Sequence, residues 1–202
     1  MTKHQTFENL TGAQFHWPKR GTDPFDRSDD YTNPAITAPG DFSRFSRMLE
    51  GYRRSADWLV EMALADWREN DILIYPILFL YRHAIELNLK YIINIHGRHV
   101  GVCPVLNSRD FAVLWPRFLA VLDGFGMDHP DTAYNSVHRA VAQFGDVDPN
   151  SCSHRYLCDA RGNPIPLARE RIDLEKLKTA MDGVFAYFEA TGSHLNGCVD
   201  PA

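Results

Sequence analysis

The sequence predicts an all-α protein: an up-and-down bundle of about five helices, preceded by an extended N-terminal arm. Three observations point there. Beyond residue 41, apolar side chains recur at three- and four-residue intervals in five separate stretches, the spacing that lays one face of a helix against a core. The period-two alternation of a strand is sustained nowhere, and the one hairpin signal is the string "DARGN" at 159–163. Prolines crowd into residues 1–40 and 145–171, where they punctuate the chain instead of interrupting a helix.

Composition is consistent with one such bundle. The chain has 202 residues, 45% hydrophobic and 23% charged, an ordinary balance for a folded domain with a single core. A formal charge of −5 excludes a global positive field of the kind that drives non-specific nucleic-acid binding. Any contact with RNA or DNA has to come from a local cluster. The sequence holds no uninterrupted apolar run of membrane-spanning length, and the opening "MTKHQTFENLTGAQFHWPKR" has no apolar signal core. The expected location is the cytoplasm, with no membrane association. Cys103, Cys152, Cys158 and Cys198 form no C-x-x-C pair and are too few for a disulfide framework, so they are expected as reduced thiols. Cys152, His154 and Cys158 in "CSHRYLC", with His194 and Cys198, are soft donors whose spacing matches no zinc-finger pattern, and no metal is expected.

Residues 1–40 form the arm. Pro18, Pro24, Pro34 and Pro39 and the scattered aromatics Phe15, Trp17, Phe25 and Tyr31 show no sustained period; such a segment orders only where its aromatics find a groove. The helical domain is expected over 41–192, with 193–202 as a tail. Its first helix spans 41–67, capped by Asp41, with Phe42, Phe45, Met48 or Leu49, Tyr52, Ala56, Leu59, Val60 and Ala63 inward. The opposite face, Arg44, Arg47, Arg53 and Arg54 against Glu50 and Asp57, reads as solvated. A second helix runs over 71–96, with Pro76 in its first turns, where a missing donor costs least. Ser108 opens a third over 109–124, burying Phe111, Leu114, Trp115, Phe118 and Leu122, and Pro116 within it requires a kink or a late start. Asp131 caps a fourth, whose Tyr134, Val137, Val141 and Phe144 face inward. After the loop 145–171, Asp173 caps the last helix, which buries Leu174, Leu177, Met181, Val184 and Phe188 and is expected to stop at Gly192.

The second helix is the informative one. Projected at about 100° per residue, Leu73, Ile77, Leu80, Tyr81, Ala84, Leu87, Tyr91 and Ile95 share one side, and Ile74, Leu78, Ile85, Leu89 and Ile92 widen that arc. What remains is one narrow stripe of Arg82, His83, Glu86 and Lys90, continued toward the N-terminus by Tyr75 and Phe79. A helix this apolar is the central member of a bundle, and its polar stripe then faces solvent, a cleft or a second subunit. Two readings of the stripe stay open. Arg82–Glu86 and Glu86–Lys90 can be i,i+4 ion pairs worth a few tenths of a kcal/mol each, with His83 beside them. Alternatively the cations hold an anion, the imidazole moves a proton and the carboxylate orients it. Asn88 falls in the apolar arc, so its amide needs a partner, expected on the backbone of a neighbouring helix or loop.

The string "FLYRHAIELNLKYII" resembles the second long helix of the HEPN superfamily, small all-helical domains of prokaryotic antiviral defence and toxin–antitoxin systems. "SRDFAVLW" sits where many bacterial relatives carry a His-Asp-Leu followed by Leu-Trp. "FGDVDPNSCSHRYLCDARGNP" with "IDLEKLKTAMDGV" resembles their Asp-Pro, Arg-Tyr, Gly loop and final helix. The likeness covers about residues 71–190. It implies a domain that forms a homodimer, with a groove between the subunits that acts on RNA or binds nucleotides, without a cofactor, and that pairs with an antitoxin or other protein. Carried over by position, it makes Arg82, His83 and Glu86 the catalytic candidates and Lys90, Arg155 and Tyr156 the phosphate- or RNA-binding ones. The chain departs from the pattern in three places. None of its nine histidines follows an arginine at the spacing of the superfamily's ribonucleases, Lys90 before His96 being the nearest substitute. The His-Asp element reads Arg109-Asp110, and the residues flanking Arg155-Tyr156 are His154 and Leu157. Three functions follow as alternatives: a metal-independent ribonuclease, a non-catalytic module for dimerisation or partner docking, and a nucleotide sensor with Tyr75 and Phe79 stacking a base and Arg82 taking phosphate.

Overall fold

The computed structural model describes residues 42–127, 132–149, 151–167 and 169–199, together with positions 25, 35 and 37. The chain divides into two compact units, Met1–Thr37 and Ala38–Ala202. In the first, Phe25 is almost fully exposed; Phe15, Trp17, Tyr31 and the arm's prolines lie outside the described residues, as do the caps expected at Asp41 and Asp131. In the second, the described residues form an all-α bundle of five helices and no strand.

Helix α1 (Phe42–Ala65) buries Ala56, Val60 and Ala63 completely, with Tyr52 and Leu59 packed beside them. It ends where Asp66 turns extended and its carboxylate caps the 3-10 turn Trp67–Glu69 by accepting from the Arg68 amide. Helix α2 (Asn70–His96) then runs back along α1, so that Phe45 meets Tyr91 at 5.9 Å and Tyr52 meets His83 at 4.4 Å between ring centroids. The supposed solvated face of α1 is partly engaged: Tyr81 donates to Asp57 at 2.7 Å, Lys178 lies 3.5 Å from the same carboxylate, and Arg53 pairs with Glu189.

Helix α2 packs against α1, α3 and α5, the place its apolar circumference predicts. Length and hydropathy would let it span a bilayer, but over half of its most apolar stretch is buried against these neighbours. Pro76 sits inside it, and the carbonyl it leaves unpaired belongs to Ile72, on the water-facing side. Helix α3 (Phe111–Gly124) starts two residues later than Ser108 suggests. Asp110 is the cap, its carboxylate accepting from the Ala112 amide at 2.8 Å, while the Ser108 hydroxyl accepts from the Asp110 amide. Pro116 again leaves free a carbonyl, that of Ala112, on an exposed face. All five apolar residues expected to be buried in α3 are buried, as are all four in α4 (Thr132–Val147).

Helix α5 (Leu174–Val199) buries Leu174, Met181, Val184 and Phe188 as expected, with Leu177 only partly covered. It does not stop at Gly192, and the segment 193–199 is helix rather than tail. A glycine inside a helix costs up to about 1 kcal/mol, which burying Leu195 just beyond it, at about 1.5–3 kcal/mol, exceeds. In the loop before α5 the "DARGN" signal survives as a tight turn with one bridge, Cys158 to Pro164, in which the Asp159 carboxylate accepts from the amides of Arg161 and Asn163.

Candidate functional site

Spacing by four along α2 stacks Arg82, Glu86 and Lys90 in one row, and the rest of the fold closes over them. Arg82 is fully buried, and Glu86 and Lys90 are nearly so. Three of the stripe's four residues are therefore turned away from solvent, and the backbone just after α4 and just before α3 lies against Arg82. Glu86 is the centre of the row. Its Oε1 accepts from Lys90 Nζ at 2.7 Å, and its Oε2 accepts from Arg82 Nη1 at 3.3 Å. The His83 Nδ1 lies 3.9 Å from that second oxygen. Burial works to raise the Glu86 carboxyl, but the His83 ring and the Lys90 ammonium outweigh it and bring it down to about 2.

Arg82 spends its donors on the backbone. Its Nε donates to the Asp148 carbonyl at 2.7 Å, and Nη2 donates to the carbonyls of Arg109 at 2.8 Å and Pro149 at 3.2 Å. The guanidinium also lies over the Phe111 ring at 4.6 Å. Burial pushes its pKa down against the pull of Asp148 and Glu86, yet an arginine keeps its charge under any such shift. Arg82 thus ties the strand of chain leading into α3 to the end of α4, and has no face left for a phosphate.

Asp148, directly after α4, is as buried as Arg82. One carboxylate oxygen accepts from the amides of Cys152 and Ser153 at 2.7 and 2.9 Å; the other lies 3.8 Å from Arg82 Nε and 3.5 Å from His154 Nδ1. Burial opposes ionisation here too, but the His154 ring, the two amides and Arg82 hold the carboxyl well below its usual range. Two cations, Arg82 and Lys90, thereby match two carboxylates, Glu86 and Asp148, the condition for a buried charged row to persist.

His83 is the one member of the stripe with appreciable exposure, 22% of its side chain. Its ring stacks on Phe79 at 5.8 Å and meets the edge of Tyr52. Arg155 reaches the same Phe79 ring, 5.1 Å from its centroid, while its Nε donates to the Ser151 carbonyl at 2.7 Å. Ser151 takes the left-handed conformation, φ 57°, that aims this carbonyl. Tyr156 lies 5.2 Å from the Arg155 guanidinium and is more than half exposed. The arrangement can do acid–base chemistry: an imidazole with a carboxylate behind Nδ1 and no hydrogen bond at Nε2 among the described residues, beside a guanidinium held on an aromatic ring.

Of the residues singled out by sequence, the structure brings together His83, Glu86, Lys90 and, through Phe79, Arg155 with Tyr156. Arg82 it places behind them. Asn88 is buried as expected, but its amide donates to the Ala84 carbonyl one turn back on its own helix, at 3.0 Å. The amide is thus satisfied by folding back on its own helix backbone, the local alternative open to an asparagine. Sequence reasoning missed Asp148 and the role of His154. The "DVDP" and "CSHRY" strings were visible, but nothing local says that Asp148 meets Arg82 from 66 residues away. Among the described residues no three His, Cys, Asp or Glu side chains converge as a metal site. No family model, curated protein or solved structure matches the chain.

Proposed function

We propose that the chain is a HEPN-like helical domain acting on RNA in a prokaryotic defence or toxin–antitoxin setting, as a metal-independent ribonuclease centred on His83. The observation that carries this reading is the meeting of His83 and Arg155 on the Phe79 ring, with Glu86 behind the imidazole. In such a reaction His83 takes the proton of a ribose 2′-hydroxyl, whose oxygen attacks the adjoining phosphorus. The bond to the 5′-oxygen breaks, and that oxygen leaves with a proton returned by an acid or by water. Arg155 neutralises the charge on the phosphate oxygens, and Tyr156 offers a face to a base. Arg82 and Lys90 act from behind as positioning residues, by fixing Glu86 and the loop that carries Arg155.

The test is cleavage of structured and unstructured RNA by the purified chain. His83→Ala and Arg155→Ala are each expected to lower the rate by about 100-fold or more while leaving the melting temperature near that of the parent. Cleavage indifferent to both changes overturns the assignment. A second reading, a non-catalytic docking module, is favoured by one observation: Arg82, Glu86 and Lys90 are satisfied within the chain. Failure of the parent chain both to bind and to cut RNA would favour it.

A further inference from the structure

Between α4, α5 and the stretch that leads into α5, the bundle leaves a groove of about 520 Å³. Eight of its thirteen lining residues are apolar, so its walls are mainly hydrocarbon. Leu78 and Phe144 are buried where they line it, and Val147, Ile172 and Leu177 are half-buried. Ala140 on α4 and Ala180 on α5 border it with nothing larger than a methyl group, which leaves the space between the two helices unfilled. Protein interiors pack with few voids larger than a water molecule, and small-molecule sites run from about 300 to 1,000 Å³. The groove falls in the second class.

Its charges are not balanced within the chain. Asp173 and Lys176 are committed to each other: the carboxylate accepts from the Lys176 amide at 3.0 Å and lies 3.4 Å from its ammonium. Arg169 and Arg171 remain. Both are exposed, both line the groove, and among the described residues neither has a hydrogen bond or an ion pair. The same two arginines border a neighbouring hollow beside the start of α2, whose wall carries Asp71, Glu170 and Glu175. Those carboxylates repel a head group with several negative charges, so the cations are matched to a single one.

We propose that the groove binds a straight-chain monocarboxylic acid, its hydrocarbon lying between α4 and α5 and its carboxylate on Arg169 and Arg171. A guanidinium meets a carboxylate through two parallel hydrogen bonds. Phe144 is the one aromatic residue in the lining, so the walls suit a flexible chain better than a flat ring held between aromatic faces. Each methylene taken out of water tightens binding by up to about fourfold. None of the lining residues belongs to the His83 cluster and binding needs no RNA, so this proposal and the ribonuclease reading stand or fall independently.

Calorimetric titration of the full chain with hexanoate, octanoate and decanoate, each below its micelle-forming concentration, tests it. Decanol and decyltrimethylammonium serve as the neutral and cationic counterparts. Affinity is expected to rise with each added pair of methylenes, and decanoate to bind at least about tenfold more tightly than either counterpart. The double variant Arg169→Ala/Arg171→Ala is expected to weaken decanoate by about tenfold or more while leaving decanol unchanged. Ala180→Phe, which puts a ring into the groove, is expected to weaken both. All three positions are exposed, and melting temperatures near the parent's are expected for both variants. No binding of decanoate overturns the proposal. So does an affinity that does not rise with chain length, a cationic counterpart that binds as tightly, or decanoate binding unmoved by either variant.

Discussion

Arg82 shows how a residue's neighbours decide what it does. By type and spacing it is a phosphate-binding arginine or half of a surface ion pair; by position it is a fully buried clamp, holding three backbone carbonyls and facing two carboxylates. Breaking a buried pair leaves its partners charged and unpaired, at a cost of about 3–5 kcal/mol. Arg82→Ala is therefore expected to lower unfolding free energy by that amount in a denaturant titration. Arg82→Lys should recover less than half of it, since one ammonium cannot reach carbonyls on both sides. A loss below about 1 kcal/mol, the range of an exposed pair, would mean the guanidinium is not the clamp described. The surface reading of the stripe and its catalytic reading share a premise, accessible charges, that burial removes for three of the four residues. Only His83 keeps it.

Among the helices, α2 and α5 show two ways in which local signals are overridden. Both contain residues that ordinarily end or bend a helix, Pro76 in one and Gly192 in the other, and both continue because the buried face beyond the breaker is apolar. The two glycines at 192 and 124 then have opposite expectations. A methyl group on Gly192 meets nothing within 4 Å, whereas one on Gly124 comes within 2.5 Å of the Val100 side chain, which packs on the end of α3. Gly192→Ala is expected to stabilise the fold by about 0.5–1 kcal/mol. Gly124→Ala is expected to destabilise it by about 1–3 kcal/mol through overpacking. Thermal melts of the two variants side by side check this, and a matching shift in the same direction would contradict the packing described.

For the whole molecule, the buried titratable groups set a common sensitivity to acid. Glu86 is held at about 2 against 4.5 in an unfolded chain, and Asp148 is lowered as well, so the unfolded state takes up protons first as pH falls. Their contribution is fully present above about 4.5 and is lost on the way down through the folded values. His96 adds an upper limb. It is buried at the end of α2, beside the edge of Phe125, with neither ring nitrogen hydrogen-bonded. Burial, with the nearby charges of His99 and Arg98, holds the ring below 6.5. A depressed histidine also stabilises most above its unfolded pKa and loses that contribution as pH falls. Stability is thus expected to be level from pH 6.5 up to the alkaline range where Tyr81 and Lys178, both raised in the fold, lose their protons, to decline gently below 6.5 and to fall steeply under about 4.5, each group adding at most about 1.4 kcal/mol per pH unit. His96→Leu should flatten the upper limb alone, read from melting temperature against pH; an unchanged slope there would assign that limb to another group.

The five helices of the described residues, the apolar face of each and the gathering of Arg82, His83, Glu86 and Lys90 into one row were all legible in the sequence. They depend on spacing within a helix, and a period of 3.6 residues is a local property. The bounds of α3 and α5 were less so, because caps and breakers compete with packing that no local window contains. What covers the row was not legible at all. Whether a charged stripe is wet or buried depends on which distant segment lies over it. That segment, carrying Asp148 and His154, arrives from 66 residues away through contacts made only once the bundle has closed. The sequence by itself set the helices and their polar row; tertiary packing alone turned three of its charges inward and left His83 at the surface.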